Sequence, residues 1–372
     1  MEITTIGLDL AKNVFQAHGA DERGREVVRK KLHRHQVTEF FAKQAPCVVA
    51  MEACGGAHHW GRKLRQYGHE VRLIAPQYVK PYVKSQKNDA ADAAAICEAA
   101  SRPHMRFVTL KSVDQQTILA VHTVRSGFVK QRTALSNQMR GLLAEFGVVL
   151  PQGLARLRQG LLPALEREPG ELTAGMHTLI GMLHEQLQRL DEQIGKLELQ
   201  IRQWARQDER SRLLQQIPGV GPITASALTA SVGDARQFED ARQMSAWLGL
   251  VPRQHSSGGK NVLLGITKRG DKYLRTLLIH GARAALKAYQ RHPEKMPARL
   301  QQLLQRKHIN IVCVALASRN ARVAWAMLSR GEDYRQSSPI AETGLLPAMC
   351  RRRLNIDPPC RSNIDPGRVA NF

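Results

Sequence analysis

The apolar rhythm between Ile3 and Pro76 most narrows what this chain can fold into. Three extended segments come first: the β-branched run Ile3–Leu10 (ITTIGLDL), then Val14–Ala20 and Arg25–Leu32, the last two separated by the polar Gly-containing turn Asp21-Glu22-Arg23-Gly24. A helical segment (Val37–Gln44), the apolar strand Cys47–Ala53 ending at Gly55-Gly56, a second helix (His58–Gly68) and a further strand (Glu70–Pro76) follow. A meander of three strands followed by alternating helices and strands predicts a mixed α/β sheet, not a doubly wound parallel one. No GxGxxG or GxxxxGK[ST] follows any strand, so nucleotide-binding folds lose support.

Beyond the sheet the pattern is helical. Asn88–Ser101 is rich in Ala, and Val113–Phe146 continues as one long helix, with breaks expected around Pro151 and Pro163. Leu183, Leu187, Leu190, Ile194, Leu197, Ile201 and Trp204 then alternate four and three apart, the a/d seam of a coiled coil. Such a seam must bury against something. A second copy of the chain is the expected partner, making a homo-oligomer (dimer or tetramer); packing on its own domain is the alternative. Ile217-Pro-Gly219-Val-Gly221-Pro-Ile223 opens another helix, a helix-hairpin-helix-like element. Its Gly219 and Gly221 suit either a phosphate at the helix N-terminus or a tight turn between packed helices. These signals divide the chain into 1–150, a helical connector 151–209, a mainly α domain 210–335 and a poorly ordered tail 336–372 in which NIDP occurs twice.

With 372 residues and 43% hydrophobic composition, real cores can form, while 55 Lys+Arg against 32 Asp+Glu leave a net charge of +23. That excess calls for a polyanionic partner. No apolar run of spanning length and no signal-peptide layout is evident, which favours nucleic acid over a membrane and a cytoplasmic location. Val251–Arg330 carries sixteen Lys/Arg against two acids, so phosphate binding is expected mainly there. The six cysteines contain no CxxC pair and read as reduced thiols, several of them small core residues.

Four acids stand out by placement. Asp9 lies inside the first strand, Glu52 ends the apolar strand, and Asp89 and Asp92 sit three apart on one face of the Ala-rich helix. Hard divalent cations want oxygen ligands, and a pair of them clamps the attacking and leaving oxygens of a phosphodiester. GLDLAKN, MEACGG and KNDAADA resemble the three blocks of the RuvC-like DEDD domain of a family of bacterial insertion-sequence transposases, the bridge recombinases, to which a pilin-gene invertase is related. The resemblance implies an RNase H-like fold in which Asp9, Glu52, Asp89 and Asp92 bind two Mg²⁺ or Mn²⁺ ions.

The C-terminal half extends the match. His255-Ser256-Ser257-Gly258-Gly259-Lys260 is a loop set among Arg253, Lys268 and Arg269; taken alone it reads as a phosphate-gripping or flexible loop as readily as a nucleophile. No GxSxG elbow is present, which disfavours a Ser/His/Asp hydrolase. The same family carries GLxPR, a Ser-Gly and a Gly-x-x-Lys-x-Gly segment, matched here by Gly249–Arg253, Ser257-Gly258 and Gly265–Gly270. The resemblance implies that Ser257 attacks DNA to form a phosphoserine, with Ser256 as second choice, and that Arg253, Lys260, Lys268 and Arg269 hold the backbone. It also implies DNA element ends and targets as partners, with a structured guide RNA. The rivals are an RNase H-type nuclease that uses water, and a non-catalytic DNA-binding protein.

Overall fold

The computed structural model describes residues 2–83, 88–167, 172–256, 260 and 262–334. Ser257, the NIDP repeat and the tail expected to be poorly ordered lie outside the described residues.

The meander is β1 (Thr5–Asp9), β2 (Val14–Ala20) and β3 (Glu26–His33), followed by α1 (Gln36–Ala42), β4 (Val48–Glu52), α2 (Ala57–Arg65) and β5 (Glu70–Ile74). Next come α3 (Pro76–Val79), α4 (Asp89–Ala100) and the two-residue β6 (Phe107–Val108), which the sequence pattern is too short to reveal. The sheet order is β3-β2-β1-β4-β5-β6, with β1, β4 and β5 parallel and the other pairings antiparallel. One face buries Ile6, Leu8, Phe15, Leu32, Val49, Met51 and Leu73 under α1 and α2. The other buries Ala50 and Ile74 under α3 and α4. Alternation along the strands therefore sends Asp9 and Glu52, one residue past buried Leu8 and Met51, to the α4 face.

Helices α5 (Val113–Ala144), α6 (Leu154–Arg167) and α7 (Ala174–Gln207) follow. Ser112 and Gln115 form a reciprocal capping box at the start of α5. Pro163 lies inside α6 and does not break it. Arg125 pairs with Glu198 and Arg132 with Asp191, so seven residues up α5 correspond to seven down α7 and the two helices run antiparallel. The heptad seam closes within the chain: Leu187, Leu190, Ile194 and Ile201 are each at most 4% exposed. Leu187 packs in a core with Met139 and Leu143 of α5, and Ile201 packs with Ile118. This corrects the expectation that a second copy covers the seam; α5, 32 residues long against the 34 of α7, is already there.

The remainder is α8 (Glu209–Leu214), α9 (Pro222–Val232), α10 (Ala241–Trp247), the hairpin β7 (Pro252–Gln254) and β8 (Leu263–Ile266), then α11 (Lys272–Arg291), α12 (Ala298–Arg306) and α13 (Ile309–Arg330). Helix α10 starts at Ala241, where the Asp240 side chain accepts from the Gln243 amide. By length and composition α13 is apolar enough to cross a membrane, contrary to the sequence reading that no run reaches that size. Its Val312, Cys313, Leu316, Ala317, Ala321 and Ala324 instead pack in the C-terminal helical core with Leu274, Leu278 and Met244. Cys47, Cys97 and Cys313 are buried free thiols, as small core residues would be.

Candidate active site

Two local features bring the four acids together. In the parallel β1/β4 register Leu8 lies opposite Met51, so Asp9 and Glu52 leave adjacent strand ends side by side. Gly7 then lets α4 approach: a Cβ there would sit 2.2 Å from the Ala93 carbonyl oxygen and 2.8 Å from the Cys97 Cβ. With Ala93 and Cys97 seated on Gly7, the first turn of α4, carrying Asp89 and Asp92, overhangs the Asp9 end of β1. Asn88 caps that turn by accepting from the Ala90 amide at 3.0 Å.

The electrostatics record the convergence. Burial, and then Asp92, Asp89 and Glu52 in that order, push Asp9 up to about 6. Glu52 is also raised, by burial and by Asp92. Among the described residues no cation offsets this repulsion at Asp9. Among the described residues no group of three His, Cys, Asp or Glu side chains stands close enough together to hold a metal ion as placed. The donor set nonetheless fits a hard divalent ion, which would supply the positive charge that these carboxylates lack.

Ser256 is exposed on the β7/β8 hairpin, as are Arg253, Lys260, Lys268 and Arg269. The hairpin base is closely packed. Gly249 (φ +70) would place a Cβ 2.0 Å from the Arg269 carbonyl oxygen, and Gly270 (φ +79) one 1.8 Å from that of Trp247. The segments entering and leaving the hairpin thus touch backbone to backbone. Thr267 N–H donates to the Val251 carbonyl at 2.9 Å, and Lys268 N–H to that of Gly249 at 3.2 Å. Arg275 of α11, only 8% exposed, donates to the Leu248 and Arg269 carbonyls, each at 3.1 Å. Sequence reasoning missed Arg275; its one signal is an arginine at a core-facing position beside Leu274 and Leu278. It also missed His122 of α5, which bridges Tyr273 of α11 and Ser226 of α9, each at 3.0 Å. Burial holds this imidazole down to about 4, so it is neutral at pH 7.

Gly219 (φ +88) has an architectural reason of its own: a Cβ there would sit 2.4 Å from the Gly281 carbonyl oxygen of α11. Gly221 is the N-cap of α9, with open space where a Cβ would point. The turn therefore joins packed helices while leaving its Gly221 side free.

Comparison with known proteins agrees with both halves. Residues 6–147 match the family model for DEDD transposases of the IS110 type, described as a transposase, and residues 211–297 match the one described as "Transposase IS116/IS110/IS902 family". A protein of Pseudomonas aeruginosa called "Probable family 20 transposase" is 54% identical over 336 residues, covering 90% of this chain and 99% of its own length. The "Transposase for insertion sequence element IS1111A" of Coxiella burnetii is 48% identical over 90% of this chain and 92% of its own. A "Pilin gene-inverting protein" of Moraxella bovis is 24% identical over 90% of this chain and 98% of its own. A mixed α/β sheet bearing the acids, followed by a mainly helical half, fits that likeness over nine-tenths of the chain, and the protein belongs to the IS110 family of DEDD transposases, enzymes that cut and rejoin DNA.

Proposed function

We propose that this transposase cuts DNA by attack of the Ser257 hydroxyl on a phosphodiester, with the acids around Asp9 supplying the metal site. The observation that carries this reading is the group of mutually repelling carboxylates on a mixed α/β sheet, in one chain with a hairpin whose base is closely packed and which carries exposed Ser256. Asp9, Glu52, Asp89 and Asp92 would hold one or two Mg²⁺ or Mn²⁺ ions. When bound, these ions polarise the scissile phosphate and favour ionisation of an attacking hydroxyl.

The serine oxygen bonds to phosphorus as its hydroxyl proton passes to solvent, and the bond from phosphorus to a deoxyribose oxygen breaks, that oxygen taking a proton from solvent to leave as a free hydroxyl. The resulting phosphoserine conserves the bond energy for rejoining without ATP. Arg253, Lys260, Lys268 and Arg269 hold the backbone on either side, and the Gly219–Gly221 turn adds a phosphate contact. Residues 1–150 form the metal-binding domain, 151–209 the connector and 210–335 the serine-bearing domain. A homo-oligomer lets the acids of one copy meet the serine of another, and an RNA from the element selects the DNA.

The test is incubation of the purified protein with element-end DNA, transcribed flanking RNA and Mg²⁺, followed by a denaturing gel and peptide mapping. A DNA adduct on the Ser256–Ser257 peptide, lost in Ser257→Ala and retained in Ser256→Ala, is the expected result. Cleavage by Ser257→Ala with no adduct would assign the reaction to water.

A further inference from the structure

The strand register ties the acids to a set of cations on the edge of the same sheet. Asp9 pairs with Gln16 of β2, and Gln16 pairs with Lys31 of β3. Directly opposed residues in antiparallel strands project from the same face. Glu52, Asp9, Gln16 and Lys31 therefore form one row across the α4 face. The neighbouring rows put Arg29, opposite His18, and His33, opposite Val14, on that face too. Two strand spacings of about 4.8 Å separate Lys31 from Asp9.

Lys31, Arg29 and His33 are exposed, and Lys31 makes no ion pair among the described residues. Arg29 reaches Glu26 only at 3.7 Å. The residues between them face the other way: Lys30 lies 5.4 Å over the Phe40 ring of α1, and Leu32 is buried with Phe41 and Trp60. On an edge strand, a cation facing solvent also discourages pairing with another sheet. That role would be met equally by Lys30 and gives no reason for a row continuous with the acids.

We infer that Lys31, with Arg29 and His33 beside it, binds a nucleic-acid backbone that crosses the sheet face beside the Asp9 site. Phosphates flanking the one held at the acids would lie along β2 and β3, with Gln16 between as a neutral hydrogen-bonding step. The ligand chemistry is the phosphodiester chain, which DNA and RNA share. This inference rests on the reading of the acids as facing nucleic acid.

The test is equilibrium binding of the full chain to a fluorescein-labelled DNA duplex, and separately to an RNA of the same sequence, over a range of salt. Each lost phosphate contact lowers the slope of log K against log salt by about 0.9 on duplex DNA. Lys31→Gln is expected to lower the slope by about that amount, Lys31→Gln with Arg29→Gln by about twice as much, and Lys30→Gln not at all. A loss in the DNA arm identifies DNA as the strand on this face, and a loss in the RNA arm identifies RNA. Equal losses from Lys30→Gln and Lys31→Gln, or none from either, would overturn the inference. Asp9→Asn in a cleavage assay separates the two failures. If it stays active, the reading of the acids falls; if it is inactive while Lys31→Gln binds like wild type, only the present inference falls.

Discussion

At the scale of single residues, Asp9 has the most consequential surroundings. Its folded pKa of about 6 lies above the ordinary 3.8, so the native state binds its proton more tightly than the unfolded chain does. The contribution of Asp9 to metal-free stability is then full below about pH 4 and is lost as pH rises through about 6. Asp9→Asn is expected to remove that dependence and to stabilise the metal-free protein at pH 7 by about 1 kcal/mol, a figure discounted for partial exposure. Melting curves across this pH range, with and without Mg²⁺, check it: Mg²⁺ should raise the midpoint of the wild type and leave the variant unmoved. A wild type indifferent to Mg²⁺ would count against a metal at these acids.

Between elements, two backbone contacts decide whether the functional groups are held in place. At the hairpin base, Gly249→Ala and Gly270→Ala each force a methyl into a carbonyl at 2.0 Å or less. Each is expected to cost about 2–4 kcal/mol and to abolish cleavage, because the serine loop loses its footing. Arg275→Met keeps the bulk but leaves the Leu248 and Arg269 carbonyls without their donor. A loss of about 1–3 kcal/mol is expected, read by chemical denaturation. Gly7→Ala tests the other contact. It should lift α4 from β1 and weaken the Mg²⁺-induced rise in melting temperature, while DNA binding through the C-terminal cations persists.

For the whole molecule, the pairing of α5 with α7 is the main internal strut. Ile201 is fully buried with Ile118 and Ala230, joining α7 to α5 and α9. Ile201→Asp should therefore lower the melting temperature by the same amount at every protein concentration. A seam shared between subunits would instead give a loss that shrinks as concentration rises. Much of this organisation was legible in the sequence: the sheet with its strand-end acids, the long helix and the heptad. The heptad's partner was not, because a/d spacing states that a stripe must be buried and says nothing about what covers it. The hairpin strands were missed because β7 has three residues and every one is exposed, so no apolar alternation marks them.

Short-range physics settled which segments became strands and helices and where their charges fell, since periodicity, capping and turn residues act over a few neighbours in the chain. Asp9 and Glu52 were conspicuous for that reason, each an acid in or at the end of an apolar strand. Their meeting with Asp89 and Asp92 needed the β1/β4 register and the closeness of α4 over Gly7. The same holds for the Gly249–Gly270 contact, for Arg275 beneath the hairpin and for Lys31 in line with Asp9. Each depends on backbone placed against backbone from distant stretches of chain, and no local rule of composition or spacing encodes such an approach.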